Sequence, residues 1–341
     1  MYEATITICI PSYNRLEKAK TVVLDLLHQE HVLYVRFLVV DNASSADYAF
    51  GFRKEPELAL AMDTGRLVVY RNPVNLGMSA NFLRAFEIAE SDWIWLLSDD
   101  DQVSPQALNS IVSAIRSYGR NCGFIKFSSS RSRPPFSGYK ISSLEELIEF
   151  NSKSISNFNG FIFISNGLYR TRDFKPLISI GYEHSHTYVP HFMMIVCLMN
   201  IGGKIVVIDE EIVRYVVPKV GYSYGMVAGL GVGGFKSLML KLTPRYTHAF
   251  YAMFFPHNDF KVIIDLYFYC KSCGTPEVLN YLVHHYVHVA SLARSRAKIF
   301  VIQLFVLLVR FPKSFEAILK VIETRSCLYG SHISEIKQRY S

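Results

Sequence analysis

The sequence predicts an α/β fold in which a mostly parallel sheet is covered by helices. From residue 5 to about residue 128, short apolar runs alternate with amphipathic stretches, which is the pattern of such a sheet. The predicted strands are residues 5–10, 36–40, 66–70, 93–97 and 123–127. The predicted helices are residues 16–28, 79–89 and 105–118, the last with Ser104 as its N-cap and Pro105 in its first turn.

Beyond residue 128 the composition of the chain changes at two places. A stretch rich in Ser, Arg and Pro at residues 128–139 predicts a loop. Further strands are predicted at residues 158–169 and 204–208, with a helix at residues 191–199 between them. After about residue 218, a glycine-rich piece leads into segments with helical periodicity and many aromatic side chains. We therefore predict an α/β domain over residues 1–217 and a mainly helical region over residues 218–341.

The overall charge indicates an anionic partner. The 341 residues carry a formal net charge of +7, the pI is near 9.0, and 50% of the residues are hydrophobic, which suffices for a large core. The basic residues are scattered, and no helix-turn-helix, zinc-finger or RNA-binding signature is present, so we do not expect nucleic acid. Acidic lipid headgroups and phosphorylated small molecules remain as partners.

The six cysteines lie mostly in apolar runs, unlike a secreted disulfide framework, and a reducing cytosol fits them best. Cys270 and Cys273 have CxxC spacing, but no second CxxC and no suitably spaced His pair accompanies them. We therefore expect ordinary thiols there and not a zinc or redox site. The N-terminal residues carry no charged region before their short apolar stretch, so we expect the first strand there and not a signal peptide.

An apolar run at residues 299–309 has basic residues on both sides. It is too short to span a bilayer, which needs about 20 apolar residues. Two interpretations stay open: a buried helix of the second unit, or an interfacial helix that lies on an anionic leaflet.

Three consecutive carboxylates, Asp99, Asp100 and Asp101, follow the predicted strand 93–97. Like charges held close together raise one another's pKa, so the cluster should have a cationic partner. A divalent ion, Mg²⁺ or Mn²⁺, that bridges carboxylate and diphosphate oxygens meets this need. The alternative is a solvated acidic turn that caps the helix at Pro105.

Ligands of open α/β sheets bind at the carboxyl ends of the strands. We expect one crevice to be formed by four segments: residues 11–15, 41–44, 71–77 and 98–101. Asp41 and Asn42 stand where such proteins place an acidic residue against a ribose or base, although an Asp-Asn pair is also a common turn. The chain has neither a GxGxxG motif nor a P-loop lysine motif, which argues against a dinucleotide dehydrogenase and a P-loop NTPase.

An ordered set of sequence blocks carries a family resemblance. The blocks are ICIPSYNR at residues 8–15, LVVDNAS at 38–44, NLG at 75–77 with Asn81, and WIWLLSDDD at 93–101. They resemble the signature of family 2 glycosyltransferases with the GT-A fold, strongly to about residue 110 and more loosely to about residue 215. The resemblance implies a Rossmann-like sheet flanked by helices, here with a helical C-terminal extension, and a metal-dependent transferase that uses a nucleotide sugar.

The resemblance also assigns site residues. A nucleoside pocket would be lined by residues after the first two strands: Pro11, Tyr13, Asn14, Arg15 and Asp41. Asp41 would form a hydrogen bond with the pyrimidine. The floor of that pocket would be shaped by Asn75, Gly77 and Asn81. The sugar diphosphate would be held at Asp99, Asp100 and Asp101.

Two details of this assignment stay open. Asp99 and Asp101 have the DxD spacing of metal ligands, but counting back from Pro105 places residues 98–100 on the motif instead. The family often has an arginine just before the asparagine of the pocket floor, and this chain has Ala80 there, which puts that donor contact in doubt.

The expected general base is also missing. Inverting members usually carry a Glu-Asp pair about eleven residues before a glycine that precedes the final strand, and counting back from Gly202 reaches Pro190 and His191. We predict His191 and Asp101 as catalytic residues, and three roles for His191 stay open: a replacement base, a metal ligand with Asp99 and Asp101, or a histidine that only caps its helix.

The histidine-containing segment 182–194 is similar to bacterial O-antigen glycosyltransferases that transfer dideoxyhexoses, abequosyltransferases among them. Those enzymes form an α-linkage from an α-linked donor, so retention of configuration also stays open. The expected reaction moves a sugar from a nucleotide-diphosphate donor to a lipid-linked oligosaccharide. We expect a cytoplasmic enzyme at the anionic inner face of the plasma membrane. The alternatives are a nucleotidyltransferase, which should show a glycine-rich basic loop after the first strand, and a non-catalytic sugar-nucleotide-binding protein.

Overall fold

The computed structural model describes most of the first two thirds of the chain and parts of the remainder. The described residues are 5–29, 35–128, 134–153, 155–214, 240, 242–253, 263–264, 266–268, 271, 283, 287, 296–309, 311–325 and 330–340. They belong to two compact units, one formed by residues 1–185 and 189–216 and the other by residues 186–188 and 217–341. The glycine-rich piece at residues 221–234 and the CxxC pair lie outside the described residues.

The first unit is built on a mixed sheet of eight strands. Its strands are β1 (Ile6–Ser12), β2 (Val35–Asp41), β3 (Leu67–Arg71), β4 (Trp93–Leu96), β6 (Phe124–Phe127), β7 (Tyr139–Ile141), β8 (Gly167–Arg170) and β9 (Ile205–Ile208). A separate two-stranded sheet pairs β5 (Gln102–Val103) with β10 (Val213–Arg214). The large sheet has the order β3-β2-β1-β4-β8-β6-β9-β7, with β8 and β7 antiparallel to their neighbours and the other pairs parallel.

Ten helices are described in the first unit, most of them short. They are α1 (Leu16–Leu27), α2 (Tyr48–Arg53), α3 (Pro56–Asp63), α4 (Met78–Ile88), α5 (Ala107–Tyr118), α6 (Leu144–Ser152), α7 (Ile155–Ile162), α8 (Thr171–Phe174), α9 (Ile178–Glu183) and α10 (Pro190–Asn200). Apolar side chains of α1 and α5 pack with the buried strand residues into one continuous core. All seven residues of β1 are buried, which is expected of a central strand covered on both faces.

The described part of the second unit is helical. Its helices are α11 (Pro244–Met253), α12 (Arg296–Val309), α13 (Pro312–Arg325) and α14 (Gly330–Tyr340). Helix α13 contacts both α12 and α14, and Phe315 and Leu319 of α13 are buried. Within the residues that the structure describes, no helix has both the length and the apolar character needed to cross a bilayer.

The five predicted strands and three predicted helices of the first 128 residues are confirmed, with ends that shift by one or two residues. Ser104 as the N-cap is wrong. Helix α5 starts at Ala107 with Gln106 at its N-cap. Ser104 follows β5, and its backbone N–H donates to the carbonyl of Ile212 (2.9 Å). This bond holds Ser104 beside the small sheet, three residues before the first residue of the helix.

The predicted strand at residues 158–169 is also wrong. That segment contains the end of α7, a 3₁₀ turn at Ile164–Asn166, and the start of β8. Periodicity alone does not separate a short helix from a strand in an apolar run as short as residues 161–164. The helix predicted at 191–199 and the strand predicted at 204–208 are confirmed as α10 and β9.

Lys126, on β6, is fully buried in this fold. Its Nζ donates to the carbonyl oxygen of Phe127 (3.0 Å) and lies 5.3 Å from the ring centroid of Phe161. Burial lowers the pKa of Lys126 from 10.5 to about 7. Between these two values the unfolded chain binds a proton that the folded chain does not, so the free energy of unfolding rises with pH over that interval.

We therefore predict that Lys126→Met stabilises the protein near neutral pH. The substitution keeps the volume and removes the cost of burying an amine, so the free energy of unfolding at pH 7 should rise by about 1–3 kcal/mol. The gain should shrink as the pH rises toward 10, because removing the proton from the lysine of the unfolded chain, whose pKa is 10.5, then costs less free energy. Urea unfolding at both pH values measures this difference, and a variant less stable than the wild type at pH 7 would contradict it.

Candidate active site

The four segments expected to converge do meet at the carboxyl ends of β1 to β4. Strand register places Ser12 opposite Asp41, and Asp41 opposite Arg71, so three polar residues stand in a row at the ends of adjacent parallel strands. The turn after β4 joins this row. We call residues 11–15, 41–44, 71–77 and 98–101 the strand-end site.

Asp99 is the most enclosed member of the acidic cluster. Its Oδ2 accepts a hydrogen bond from the Ser12 hydroxyl (2.6 Å), and its Oδ1 accepts one from Arg15 Nη1 (3.0 Å). Burial raises the pKa of Asp99, and the hydrogen bond from Ser12 and the charge of Arg15 oppose part of that rise. Asp99 is therefore a buried carboxylate that depends on its two partners.

Asp100 and Asp101 are held differently. Asp100 Oδ2 accepts from Arg15 Nη1 (2.8 Å), and its Oδ1 accepts from the Ser98 hydroxyl (2.6 Å). Asp101 is buried, and its Oδ2 accepts from the hydroxyl of Ser165 (2.6 Å), which lies in the 3₁₀ turn before β8. The interpretation as a solvated acidic turn that caps the helix is therefore wrong, because two of the three carboxylates are buried and the turn leads into β5.

Arg15 supplies the cationic partner that the sequence requires for the acidic cluster. One guanidinium nitrogen bonds both Asp99 and Asp100, and 47% of the side chain is exposed. The backbone N–H of Arg15 donates to the hydroxyl of Tyr48 (2.8 Å), which lies 2.8 Å from the Ser12 hydroxyl. Because Ser12 donates to Asp99, Tyr48 is the donor to Ser12. A chain of hydrogen bonds thus fixes the position of Arg15 against the carboxylates.

Asp41 ends β2 and is fully buried. Its Oδ2 accepts from Arg71 Nη1 (2.6 Å), and its Oδ1 accepts from the backbone N–H of Ser44 (2.9 Å). Arg71 Nη2 also donates to the Ser44 carbonyl (2.6 Å), and half of the Arg71 side chain is exposed. Arg71, and not Asp41, is therefore the member of this pair at the surface of the strand-end site. The expected bond from Asp41 to a pyrimidine stays a prediction.

A network of asparagine side chains ties the loop after β3 to β2. Asn72 Nδ2 donates to Oδ1 of Asn42 (3.1 Å) and of Asn81 (2.8 Å), and Asn81 Nδ2 donates to the carbonyl of Val40 (3.1 Å). Asn42 Nδ2 donates to Asn75 Oδ1 (2.7 Å). Asn81 is buried beneath this loop and Asn75 is exposed on it.

Gly77 turns the chain from this loop into α4. Its φ is +80°, a conformation that glycine adopts without steric cost, and its N–H donates to Asn75 Oδ1 (2.9 Å). A side chain at this position would be strained even though the space around it is open. Gly77 therefore serves the path of the backbone.

The loop after β1 presents its residues at different depths. Pro11 is buried within β1, and Tyr13 is exposed. Asn14 has a φ of +54°, which asparagine tolerates better than most residues. Its backbone N–H donates to the Ser44 hydroxyl (2.8 Å), and its Oδ1 accepts from the Ser45 N–H (2.9 Å). Asn14 thus joins the loops after β1 and β2.

His191 lies in the first turn of α10 and is only 1% exposed. Its Nε2 donates to the carbonyl of Ile162 (3.0 Å), and its buried Nδ1 has no hydrogen-bond partner. Burial lowers the pKa of His191 to about 4, so the ring is neutral near pH 7. In the part of the chain that the structure describes, no three His, Cys, Asp or Glu side chains are arranged to hold one metal ion, so His191 does not form a ligand set with Asp99 and Asp101 here.

Four residues of this arrangement had no role in the sequence-based prediction. Ser12 and Arg71 lie within the segments 11–15 and 71–77 that were predicted to form the crevice, and the strand register aligns both with Asp41. Tyr48 and Ser165 gave no local signal, because each reaches the site from an element far away in the sequence.

The sequence matches the family model described as glycosyl transferase family 2 over residues 7–187, which is more than half of the chain. The chain belongs to this family. Abequosyltransferase RfbV of Salmonella typhimurium is 30% identical over 104 residues, which are 30% of this chain and 30% of that protein. The chain thus matches less than a third of that relative's length.

Solved structures show the same architecture. The S. aureus TarS fragment 1–349 superposes with a TM-score of 0.59 at 15% identity. The match covers 91% of this chain and 89% of that fragment. The mannosyltransferase PcManGT from Pyrobaculum calidifontis, solved in complex with GDP-Man and Mn²⁺, has a TM-score of 0.52 at 15% identity and covers 99% of this chain and 86% of its own. This family 2 member therefore has the GT-A fold.

We predict that Ser165→Ala lowers the rate of sugar transfer about 10- to 100-fold, the range found when a group that orients a functional carboxylate is removed. The substitution removes two hydrogen bonds of the Ser165 hydroxyl. One is donated to Asp101, and the other is accepted from the Ser98 N–H (3.0 Å). Ser165→Thr keeps the hydroxyl and should retain most of the rate. Steady-state turnover measures both variants, and wild-type turnover in Ser165→Ala would contradict the prediction.

Proposed function

We propose that this glycosyltransferase moves a sugar from a nucleotide-diphosphate donor to a sugar hydroxyl, with the diphosphate held at Arg15 and the acidic cluster. The observation that carries the proposal is the contact of a half-exposed arginine with two carboxylates at the carboxyl ends of parallel strands. This position is where α/β sheets bind ligands, and the guanidinium is the group that pairs best with phosphate oxygens.

The charge of the cluster supports a metal ion. Three carboxylates and one guanidinium leave two negative charges when all are ionised, and a diphosphate adds further negative charge to the same place. The ligands present are hard oxygens, and Mg²⁺ and Mn²⁺ sites often combine one or two carboxylates with substrate phosphates. Asp99 and Asp101 are the proposed protein ligands, with Asp100 beside them. A bound ion would neutralise charge on the departing diphosphate.

The nucleoside belongs, in this proposal, to the side of the strand-end site formed by the loops after β1, β2 and β3. Tyr13 is exposed there and offers an aromatic face. Arg71, at the end of β3, is half exposed, offers guanidinium donors and is kept in place by Asp41. The path of the surrounding loops is fixed by Asn14, Asn75, Gly77 and Asn81. Pro11 is buried in β1.

The acceptor is proposed to be a lipid-linked oligosaccharide in the synthesis of O-antigen or another surface polysaccharide at the inner face of the plasma membrane. The partial match to an abequosyltransferase supports this choice and favours a dideoxyhexose as the transferred sugar. The structures of related fold, one with UDP-GlcNAc and one with GDP-Man and Mn²⁺, support a nucleotide sugar in general and do not select the base.

The direct test is ligand-dependent thermal stability with UDP, GDP, CDP and dTDP, each with and without Mn²⁺. A ligand that binds only the folded chain at 100 times its Kd stabilises it by about 2.7 kcal/mol. We expect one nucleotide to raise Tm by at least a few degrees, more with Mn²⁺ than without. No stabilisation by any of the four in the presence of metal would remove the basis of the proposal.

Variants assign this effect to the site. Arg15→Ala and Asp99→Asn should abolish the metal-dependent part of the shift, because each removes a member of the cluster. Asp63→Asn is the matched control, since Asp63 also pairs with an arginine, Arg53 (2.8 Å), but on the exposed surface of α3. Its ligand-induced shift should equal that of the wild type.

Two other functions have distinct outcomes. A non-catalytic binding protein would show the shift without releasing nucleoside diphosphate from any donor. A nucleotidyltransferase would release pyrophosphate from nucleoside triphosphates. The loop after β1 contains no glycine, which disfavours this second alternative.

Two roles stay open for His191, that of the catalytic base and that of a histidine that supports only the packing of α10. As a base it would take the proton of the acceptor hydroxyl at Nδ1, because Nε2 is bonded to the Ile162 carbonyl, and the acceptor would have to reach this buried nitrogen. We predict that His191→Gln, which keeps a donor for the Ile162 carbonyl, lowers kcat about 100-fold or more with little change in the donor KM. The wild-type kcat/KM should fall as the pH drops through about 4, where the ring becomes protonated. A His191→Gln variant with unchanged kcat would show that this histidine only supports the packing of α10.

A further inference from the structure

Helix α12 carries an apolar stripe on its solvent-facing side. Phe300, Leu304 and Leu307 follow the i, i+4, i+7 spacing of one helix face, and they are 63%, 50% and 49% exposed. Phe311, just after the helix, is 60% exposed. The opposite side of the helix is buried through Ile302 and Val306. The helix thus has one packed face and one large unpacked apolar face.

Basic residues frame this stripe. Arg296 is exposed one turn before Phe300 on the same face, and exposed Lys298 and Lys313 flank it at the two ends. The sequence contains no Asp or Glu from residue 278 to residue 315, an interval that holds five Lys and Arg residues. A large apolar stripe within an exclusively cationic segment has the composition of a helix that lies in a membrane interface.

We infer that α12 docks flat on a bilayer that contains anionic phospholipid, with Phe300, Leu304, Leu307 and Phe311 in the boundary between headgroups and acyl chains. The basic residues remain at the level of the anionic headgroups. The inference rests on the proposed membrane location and names the surface of the protein that contacts the membrane. It does not depend on the transfer chemistry, because neither donor nor acceptor takes part in docking.

The charges disfavour a second copy of this chain as the occupant. Parallel pairing through the stripe would place Arg296 against its own equivalent, and antiparallel pairing would bring the cationic ends of the two helices together. Helix α12 has no acidic side chain to compensate either arrangement. Like charges held across an interface are destabilising, whereas an anionic leaflet is complementary to the whole segment.

The test is co-sedimentation of the full chain with vesicles of phosphatidylcholine alone or mixed with phosphatidylglycerol. We expect binding to the mixed vesicles, weaker binding at high salt, and little binding to phosphatidylcholine. Phe300→Ser/Leu304→Ser should lower the partition coefficient on mixed vesicles at least about tenfold, because two exposed apolar side chains no longer enter the interface.

The matched control is Phe50→Ser/Leu60→Ser, which removes the same two residue types at 63% and 64% exposure from α2 and α3. It should bind mixed vesicles as the wild type does. Each variant must retain the wild-type Tm, so that loss of binding does not reflect unfolding.

Three results would overturn the inference. The first is equal partitioning of the α12 variant and the wild type. The second is equal binding of the wild type to neutral and anionic vesicles. The third is a wild-type protein that is a dimer in analytical ultracentrifugation and an α12 variant that is a monomer, with neither protein binding to vesicles. Because the experiment contains no nucleotide, its failure would leave the transfer reaction untouched, and a failed nucleotide screen would leave the docking surface untouched.

Discussion

The organisation of the strand-end site depends on the burial of one carboxylate, Asp99. A buried carboxylate is costly unless it is hydrogen-bonded and paired with a positive charge. Here Ser12 provides the hydrogen bond and Arg15 the charge, and both come from the strand and loop of β1. The same Arg15 nitrogen also holds Asp100, so one guanidinium sets the geometry of the acidic turn. The first and fourth strands are thereby linked at the place where a diphosphate is proposed to bind.

The framework of this site could be predicted from the sequence because its residues directly follow strands with strong apolar patterns. The apolar patterns before Asp41 and Asp99 indicate their positions, and in the structure Asp41 is the last residue of β2 and Asp99 lies in the turn after β4. Their partners were harder to identify. Ser165 lies 64 residues from Asp101, and Tyr48 lies 36 residues from Ser12, so only the tertiary fold brings these hydroxyls to the site.

The wrong predictions have a common physical cause. Local pattern alone suggested a cap at Ser104 and a strand at residues 158–169, whereas tertiary pairing decides both segments. Ser104 is held by a backbone bond to Ile212, and within the second segment only β8 gains strand partners, β4 and β6.

The charge of the acidic cluster is also partly balanced by a residue from the loop after another strand. Three adjacent carboxylates do require positive charge, but Arg15 already supplies part of it, so the case for a metal ion comes from the added charge of the donor.

The decisive measurement is a crystal structure of the chain with Mn²⁺ and the nucleoside diphosphate that stabilises it most. We expect a manganese anomalous peak within about 2.0–2.3 Å of a carboxylate oxygen of the turn 99–101, with diphosphate oxygens on the same ion and Arg15 beside them. A diphosphate bound away from this turn, or a bound nucleotide with no manganese at Asp99, Asp100 or Asp101, would contradict it.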